Sequence, residues 1–402
     1  MSVGPRLDGL AAALVATTAA QALATLAVYV LPILAPLAAG DLGVAPGLIG
    51  TQVALVYGTA ALSSIWSGRV LAKLGPAGCT QLALAAGAVG AASLAAGGLP
   101  GVAFGSVMLG IGYGFTTPAA TQVLARLAPA ARRNLVFSIK QMGVPIGGAL
   151  AGLLLPSIAL LAGWRGAASG VAAVLMLAAI GLLPFRRSWH GARTDAGGAG
   201  RQLGTMQALR AGRGLIALAA IGASFSAIQL SLGAFAVTTL MSEFGWGGVA
   251  AGAAAAAIQT SGAVARLVLA ALADSIGAPL PMLAAIGVAT AVAALAMPFA
   301  VEWPSAVVLL LLCLFGACSA GWTGIAVAEV ARLAPPGAAG AATGGVMAMT
   351  YVGAVLGPSL FAGVGTLLGS YTAAFAAMST LPLVGAALAL RTHARLKAGP
   401  KG

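Results

Sequence analysis

Residues 114–129 read GFTTPAATQVLARLAP and residues 321–335 read GWTGIAVAEVARLAP, and this recurrence decides the fold. The shared peptide ARLAP closes both stretches, at positions 206 residues apart. The same offset relates Gly163 to Gly369 further along the chain. A recurrence over half of the chain length indicates two units of the same orientation, joined in tandem.

Composition indicates that both units lie in a membrane. Hydrophobic residues make up 60% of the 402 residues, charged residues make up 7%, and the mean hydropathy is +1.03. Apolar stretches recur at lengths near the roughly 20 residues that cross a bilayer as a helix. They are continuous, without the alternation of a membrane strand, which excludes a transmembrane barrel. We therefore predict an all-α membrane protein.

Twelve apolar stretches predict twelve transmembrane helices in two tandem six-helix bundles. We call them spans 1 to 12, with approximate limits 10–37, 46–68, 79–98, 102–124, 135–160, 166–184, 214–240, 247–272, 280–299, 305–328, 341–367 and 371–390. The predicted domains are an N-terminal bundle at 1–184 and a C-terminal bundle at 214–402. The basic, Gly-rich stretch 185–213 between them is expected to be a flexible cytoplasmic linker.

The 20 Lys and Arg residues predict the orientation. Only Arg165 falls in an outer loop when both termini are cytoplasmic, whereas Lys140 and Arg266 fall within spans. All the other basic residues then lie on the cytoplasmic side, as the positive-inside rule requires. The formal net charge of +13 thus reports membrane orientation, and we expect no nucleic-acid partner. The predicted location is a bacterial-type inner (plasma) membrane.

Two short loops carry related Gly-rich motifs. The loop after span 2 contains GRVLAKLG from Gly68 to Gly75, and the loop after span 8 contains AALADSIG, which ends at Gly277. These motifs resemble the signature G-x-x-x-D-R-x-G of the major facilitator superfamily, and the likeness extends over the whole chain. The resemblance implies a gating role for these glycines and for the acidic position, which is Ala72 in the first copy and Asp274 in the second.

The resemblance further implies that the gating carboxylate faces the start of a helix from the other half, where the helix dipole is positive. We expect Asp274 to face the start of span 5 in this way. The alternative is an interfacial aspartate without a gating role.

GVPIGG at residues 143–148 and GAVLGP at residues 353–358 resemble the family's Gly/Pro motif of span 5 and its repeat in span 11. For both we favour close helix packing over a direct role in transport.

Two cations remain that the orientation does not explain. Lys140 lies about 10 Å into span 5 and Arg266 about 12 Å into span 8, at about 1.5 Å per residue. One interpretation is that both side chains extend to the headgroups. The other is that they face a shared cavity, since charges within spans usually line an interior or a pathway. No Asp or Glu lies deep within a span, so such a cavity would favour an anion.

Neutral polar and aromatic side chains supply further substrate-binding candidates. Gln21, Thr25 and Tyr29 recur every four residues along span 1 and therefore share one face. The family resemblance implies that spans 1, 4, 7 and 10 line the cavity. The remaining candidates lie in the second half: Gln229, Trp322 and Tyr351. For each single residue, helix packing is the alternative.

These features predict a secondary active transporter that works by alternating access. The stretch VARLVLAALAD around Arg266 resembles span 8 of the organic-anion and monocarboxylate carriers of the superfamily, which implies a small organic anion as substrate, with proton symport as one coupling mode. The alternative is a proton-coupled exporter of drugs or metabolites, for which an embedded carboxylate is expected. A membrane-embedded enzyme is disfavoured, because the spans contain no His and no carboxylate pair. We expect no cofactor and no metal, a monomer, and the lipid bilayer as the other partner.

Overall fold

The computed structural model describes residues 4–43, 46–184, 189 and 203–398 of the chain. Helices and short 3-10 turns dominate these residues. In the first half they are Gly4–Val28, Val30–Ile33, Ala35–Leu42, Pro46–Ala96, Gly98–Leu127, the turn Ala130–Arg132, Arg133–Gln141 and Gly143–Gly181. The predicted linker falls for the most part outside the described residues.

The second half also consists of helices, with one 3-10 turn among the described residues. They are Thr205–Ala211, Leu215–Ser242, Gly248–Ile276, Pro279–Ala296, the turn Met297–Glu302, Ser305–Gly321, Thr323–Leu333, Ala339–Leu368, Tyr371–Met378 and Thr380–Lys397. Trp322 separates the two helical segments of span 10, and Ser379, shortly before Pro382, separates those of span 12.

Two of the long helical runs each contain two spans. Pro46–Ala96 changes direction at Gly75 (φ 69°, ψ 177°), and Gly143–Gly181 changes direction at Gly163 (φ 71°, ψ 170°). Only glycine adopts these angles without strain. Ten runs among the described residues are long and apolar enough to cross a membrane, and two of these contain a pair of spans. The all-α class and the twelve spans are therefore confirmed.

The helices group into two compact units. Unit 1 comprises Met1–Ala128, Ile139–Gly212 and Ala334–Ala348, and unit 2 comprises Pro129–Ser138, Arg213–Leu333 and Met349–Gly402. Each unit thus contains the first residues of a span whose remainder belongs to the other unit. The predicted domain limits at 184 and 214 stay a prediction.

In unit 1, span 1 packs against span 4 and against the helix Gly143–Gly181, and spans 2 and 3 pack against the same two partners. Glycines allow the close approach of spans 1 and 5. A Cβ placed on Gly143 would lie 2.7 Å from the Cβ of Gln21, and one on Gly147 would lie 2.7 Å from the Cβ of Thr25. The packing interpretation of the first Gly motif agrees with this geometry.

In unit 2, span 8 packs against span 10, and span 12 packs against spans 7 and 9. The second Gly motif repeats the arrangement of the first. A Cβ on Gly353 would lie 2.6 Å from the hydroxyl of Ser226, and one on Gly357 would lie 2.5 Å from the Cα of Ala227. Span 11 therefore lies against span 7 as span 5 lies against span 1.

A carboxylate at the end of span 1 holds the start of span 6. Asp41 Oδ2 accepts hydrogen bonds from Trp164 Nε1 and from Arg165 Nε, both at 3.0 Å. The guanidinium also forms an ion pair with Asp41 at 2.9 Å, and both side chains remain about half exposed (45% and 49%). A solvent-accessible ion pair thus connects the end of span 1 to the start of span 6.

Glu243 occupies the corresponding place after span 7 and holds the start of span 12. Its carboxylate accepts hydrogen bonds from the N–H groups of Tyr371 and Thr372 and from the hydroxyls of Ser370 and Thr372. Burial raises the pKa of Glu243, but these hydrogen bonds outweigh burial and hold that pKa below its usual value. The sequence analysis did not predict that Asp41 and Glu243 share this role.

Candidate substrate-binding site

Lys140 is fully buried at the end of the helix Arg133–Gln141 and is only 1% exposed. Its Nζ donates hydrogen bonds to Gln21 Oε1 at 2.9 Å, to Thr117 Oγ1 at 2.8 Å and to Gln141 Oε1 at 2.8 Å. An ammonium group has three N–H donors, so each of them meets a neutral oxygen. The side chain therefore does not extend to the headgroups in this structure.

Gln21 is the common acceptor of the cluster around Lys140. In addition to the ammonium, its Oε1 accepts hydrogen bonds from Thr116 Oγ1 at 2.9 Å and Thr117 Oγ1 at 3.3 Å. The cluster joins spans 1, 4 and 5 within unit 1. We did not predict the two threonines, although adjacent polar residues directly before Pro118 in an apolar span were a usable signal.

Thr25 and Tyr29 share the face of span 1 that Gln21 occupies, as predicted. Thr25 is 2% exposed and lies against Gly147, and the ring of Tyr29 lies 3.6 Å from the Cβ position of Gly148. Both candidates therefore contact the glycine face of span 5. Their role in substrate binding stays a prediction.

Arg266 is buried in unit 2, with 6% of its surface exposed. Its Nε donates a hydrogen bond to the backbone oxygen of Ala320 on span 10, at 3.3 Å. Because the side chain is buried and its Nε binds a backbone oxygen of span 10, it does not extend to the headgroups either. Lys140 belongs to unit 1 and Arg266 to unit 2, so their predicted shared cavity stays a prediction.

The second-half candidates Gln229 and Trp322 are brought together in unit 2. Trp322 is 1% exposed, and its Nε1 donates a hydrogen bond to Gln229 Oε1 at 3.1 Å. Phe225 packs edge-on against the indole, with ring centroids 5.6 Å apart. Tyr351 is also buried in this unit, at 7% exposure. Phe225, Trp322 and Gln229 thus form an aromatic cluster that includes an amide group.

Asp274 lies at the start of span 5, as expected for the gating carboxylate. Its Oδ1 accepts hydrogen bonds from the backbone N–H of Asn134 at 3.0 Å and from Asn134 Nδ2 at 2.7 Å. Its Oδ2 accepts one from the backbone N–H of Leu135 at 2.9 Å. The first turn of a helix has unpaired N–H groups and a positive partial charge, which a carboxylate stabilises. Whether this contact gates transport stays a prediction.

The three signature glycines have different structural roles. Gly75 and Gly277 adopt positive φ angles of 69° and 66°, which the sharp turns after spans 2 and 8 require. Gly68 instead donates its backbone N–H to Thr205 Oγ1 at 2.9 Å, so the short helix Thr205–Ala211 docks on it. Their part in gating stays a prediction.

Gln122 binds the backbone at the start of span 11. The first signature copy, which has Ala72 at the acidic position, provides no carboxylate for such a contact. Gln122 Nε2 donates to the backbone oxygen of Gly337 at 2.9 Å, and its Oε1 accepts from the N–H of Gly340 at 2.8 Å. An amide can bind both a carbonyl and an N–H group, whereas the side chain of Ala72 can bind neither. We did not predict this residue, because a lone Gln near the end of a span gives no distinguishing pattern.

Comparison with solved structures finds similar folds over nearly the whole chain. The transporter FucP in the outward conformation has a TM-score of 0.75 at 15% identity, covering 94% of this chain and 98% of that chain. The proton:xylose symporter XylE has a TM-score of 0.70 at 15% identity, covering 96% of each chain. The human organic anion transporter MFSD10 has a TM-score of 0.69 at 17% identity, covering 94% of this chain and 98% of that chain.

Comparison of the sequence with curated proteins finds no match. The family model of the Major Facilitator Superfamily matches residues 17–358 and, in a second match, residues 221–402. The two matches together extend over most of the chain, and the likeness to the solved structures extends equally far. The chain therefore belongs to the Major Facilitator Superfamily of multi-pass membrane transporters.

Proposed function

We propose that this transporter moves a small organic anion, such as a monocarboxylate, by alternating access. The observation that carries the proposal is the burial of Lys140 among three neutral oxygens. Hydrogen bonds from amide and hydroxyl oxygens satisfy the N–H groups but leave a net positive charge. An anion that reaches this cluster gains the electrostatic attraction that a neutral solute lacks.

Four carboxylates among the described residues form their contacts away from Lys140. Asp41 pairs with Arg165, Glu243 caps span 12, Asp274 caps span 5, and Glu329 pairs with Arg332. The charge of Lys140 is thus left for a ligand to neutralise. This arrangement also disfavours the drug-exporter alternative, because the buried Glu329 uses both oxygens for Arg332.

Arg266 is the second proposed anion-binding group. Its Nε donates to the backbone oxygen of Ala320, two residues before the segment break at Trp322, whose indole binds Gln229. A guanidinium can bind a carboxylate through two parallel hydrogen bonds, which an ammonium cannot do. We propose that Arg266 supplies this fork within unit 2, together with Gln229, Trp322 and Tyr351. Within unit 1, we propose that Gln21, Thr25 and Tyr29 bind substrate together with Lys140.

The similar structures leave the substrate class and the coupling open. One is described as an organic anion transporter, another as a proton:xylose symporter, and their TM-scores are nearly equal (0.69 and 0.70). We propose proton symport as one coupling mode. We also propose a monomer in the plasma membrane with both termini cytoplasmic, in line with the distribution of basic residues.

A thermal-unfolding screen of the purified protein tests the substrate class. Monocarboxylates, dicarboxylates, sugars and lipophilic cations are added separately, since a ligand of the native state raises the apparent stability. We expect stabilisation by a carboxylate and uptake of the same compound into proteoliposomes. Transport of lipophilic cations alone would replace this proposal by the exporter alternative, and transport of sugars alone would also overturn it.

A matched pair of variants tests the guanidinium. Arg266→Gln removes the charge, whereas Arg266→Lys keeps it but removes the planar fork. We expect both to lose carboxylate-induced stabilisation while they insert and fold. Wild-type uptake by Arg266→Gln would show that the guanidinium does not bind the substrate.

A further inference from the structure

A cavity of about 390 Å³ lies within unit 2, at the end that we predict to be cytoplasmic. It is bordered by the start of span 5, the ends of spans 8 and 10, the start of span 9 and the last helix of the chain. The charged and titratable side chains that line it are Arg133, Asp274, Glu329, Arg332, His393 and Lys397.

The two carboxylates of the cavity are already bound within the protein. Asp274 accepts hydrogen bonds on both oxygens from the first turn of span 5. Glu329 is 1% exposed and binds Arg332 through both oxygens, with 2.7 Å between Arg332 Nε and Glu329 Oε2. These groups therefore have little remaining capacity to attract a cation from solution.

The basic side chains keep unused donors. The Nε of Arg133 is buried, and no described residue accepts a hydrogen bond from it. Arg332 keeps about half of its side chain exposed (48%), and Lys397 is exposed at the rim. Arg133, Arg332 and Lys397 together outnumber the two carboxylates, so the cavity has an excess of positive charge even with His393 neutral.

We propose that this cavity binds a phosphate group, provided either by an anionic lipid headgroup or by a free phosphate or phosphoester. A tetrahedral phosphate presents several acceptor oxygens in different directions, which suits donors that come from the start of span 5, the end of span 10 and the last helix. Guanidinium groups bind phosphate oxygens through short, charge-assisted hydrogen bonds. The volume is within the range of small-ligand pockets, about 300–1,000 Å³.

A bound phosphate would also act on conformation. The cavity is bordered by Asp274 and Asn134, whose side chains are hydrogen-bonded to each other. A ligand that binds only when these residues are in place stabilises the conformation that contains this contact. The proposal does not depend on which substrate is transported.

Thermal unfolding of the purified full-length protein in an uncharged detergent tests the site. Inorganic phosphate is titrated in one series, and a short-chain phosphatidylglycerol in another, with phosphatidylcholine and chloride of equal ionic strength as references. We expect stabilisation by at least one phosphate source and not by the references. A response to inorganic phosphate indicates a free anion, and a response to phosphatidylglycerol alone indicates a lipid headgroup.

Two matched pairs of variants locate the response. Lys397→Gln and Arg133→Gln remove lining charges, whereas Arg395→Gln and Arg132→Gln remove exposed charges that do not line the cavity. The first pair should need about tenfold more ligand for half of the effect, since hydrogen bonds to charged groups contribute this much. The second pair should titrate like the wild type.

Three results would overturn the proposal. These are no stabilisation by either phosphate source, wild-type titrations for both lining variants, or equal losses in the lining and non-lining variants. The unfolding temperature without ligand is recorded for every variant, so that a folding defect is distinguished from a binding defect. An Arg133→Lys variant, which keeps the charge, should retain part of the response if Arg133→Gln proves unstable.

Discussion

Lys140→Gln separates the stability of the buried cluster from ligand binding. The substitution removes a buried ammonium, whose desolvation costs several kcal/mol, and three hydrogen bonds from a charged donor, about 1.5–3 kcal/mol each. In the variant, Gln21 Oε1 keeps the hydrogen bond from Thr116, and Thr117 keeps its hydrogen bond to Gln21. Gln141 Oε1 loses the Lys140 donor, and the new carboxamide can replace it.

The opposing terms for Lys140→Gln nearly cancel, so we expect the free energy of unfolding without ligand to change by less than about 2 kcal/mol. Ligand binding should behave differently. At a ligand concentration of about 100 Kd, the wild type gains about 2.7 kcal/mol, and the variant should lose most of this gain. Tryptophan fluorescence during heating measures both quantities, and uptake into proteoliposomes measures transport.

Lys73→Gln is the matched control, because Lys73 is an exposed lysine in the loop after span 2. It should keep both the stability and the ligand response of the wild type. If Lys140→Gln keeps the full ligand-induced stabilisation and transports at the wild-type rate, Lys140 does not bind the substrate. A large loss of stability without ligand would instead make the ammonium a structural group.

Asp274→Asn should raise cysteine-label access from the cytoplasm while the protein stays folded, because an amide cannot accept on both atoms; unchanged access and transport would leave Asp274 without a gating role. Gly147→Val should cost about 1–3 kcal/mol of stability through overpacking, whereas Gly152→Val, with nothing within 4 Å of its Cβ position, should cost little; equal melting temperatures would contradict this packing. Glu243 has a lowered pKa, so its contribution to stability is present above its usual value of 4.5 and is lost as the pH falls through the native pKa; Glu243→Gln should remove this part of the acid sensitivity in melting curves, and an unchanged profile would disprove it. Reporter fusions should be external after residues 100, 163 and 302 and cytoplasmic after residues 75, 200 and 395, and one inverted fusion would contradict the orientation.

The sequence predicts the backbone of this fold well, because hydrophobic spacing and glycine decide it locally. The apolar stretches gave the twelve spans, and the repeat related Gly163 to Gly369, both of which adopt positive φ angles, 71° and 65°. The Gly-x-x-x-Gly spacing similarly predicted close packing of spans 5 and 11. These features depend on residues near one another along the chain, so a single sequence contains them.

The partners of the polar side chains were harder to predict, because they depend on how distant helices are rotated. The sequence marks Lys140 as unusual, but Gln21 and Thr117 as its acceptors follow only from the packing of spans 1 and 4 against span 5. Gln122 gave no signal at all, since its two contacts with the start of span 11 come from residues more than 200 positions away. The candidate list therefore contained the buried cations but missed part of their surroundings.

The two carboxylates that bind the starts of spans 6 and 12 respond differently to dissolved salt. Asp41 binds Arg165 as an exposed ion pair, and high salt weakens such surface ion pairs. Glu243 binds backbone N–H groups and hydroxyls that carry no formal charge, so salt affects it little, whereas protonation removes it. High ionic strength should therefore loosen the start of span 6, while the start of span 12 stays in place.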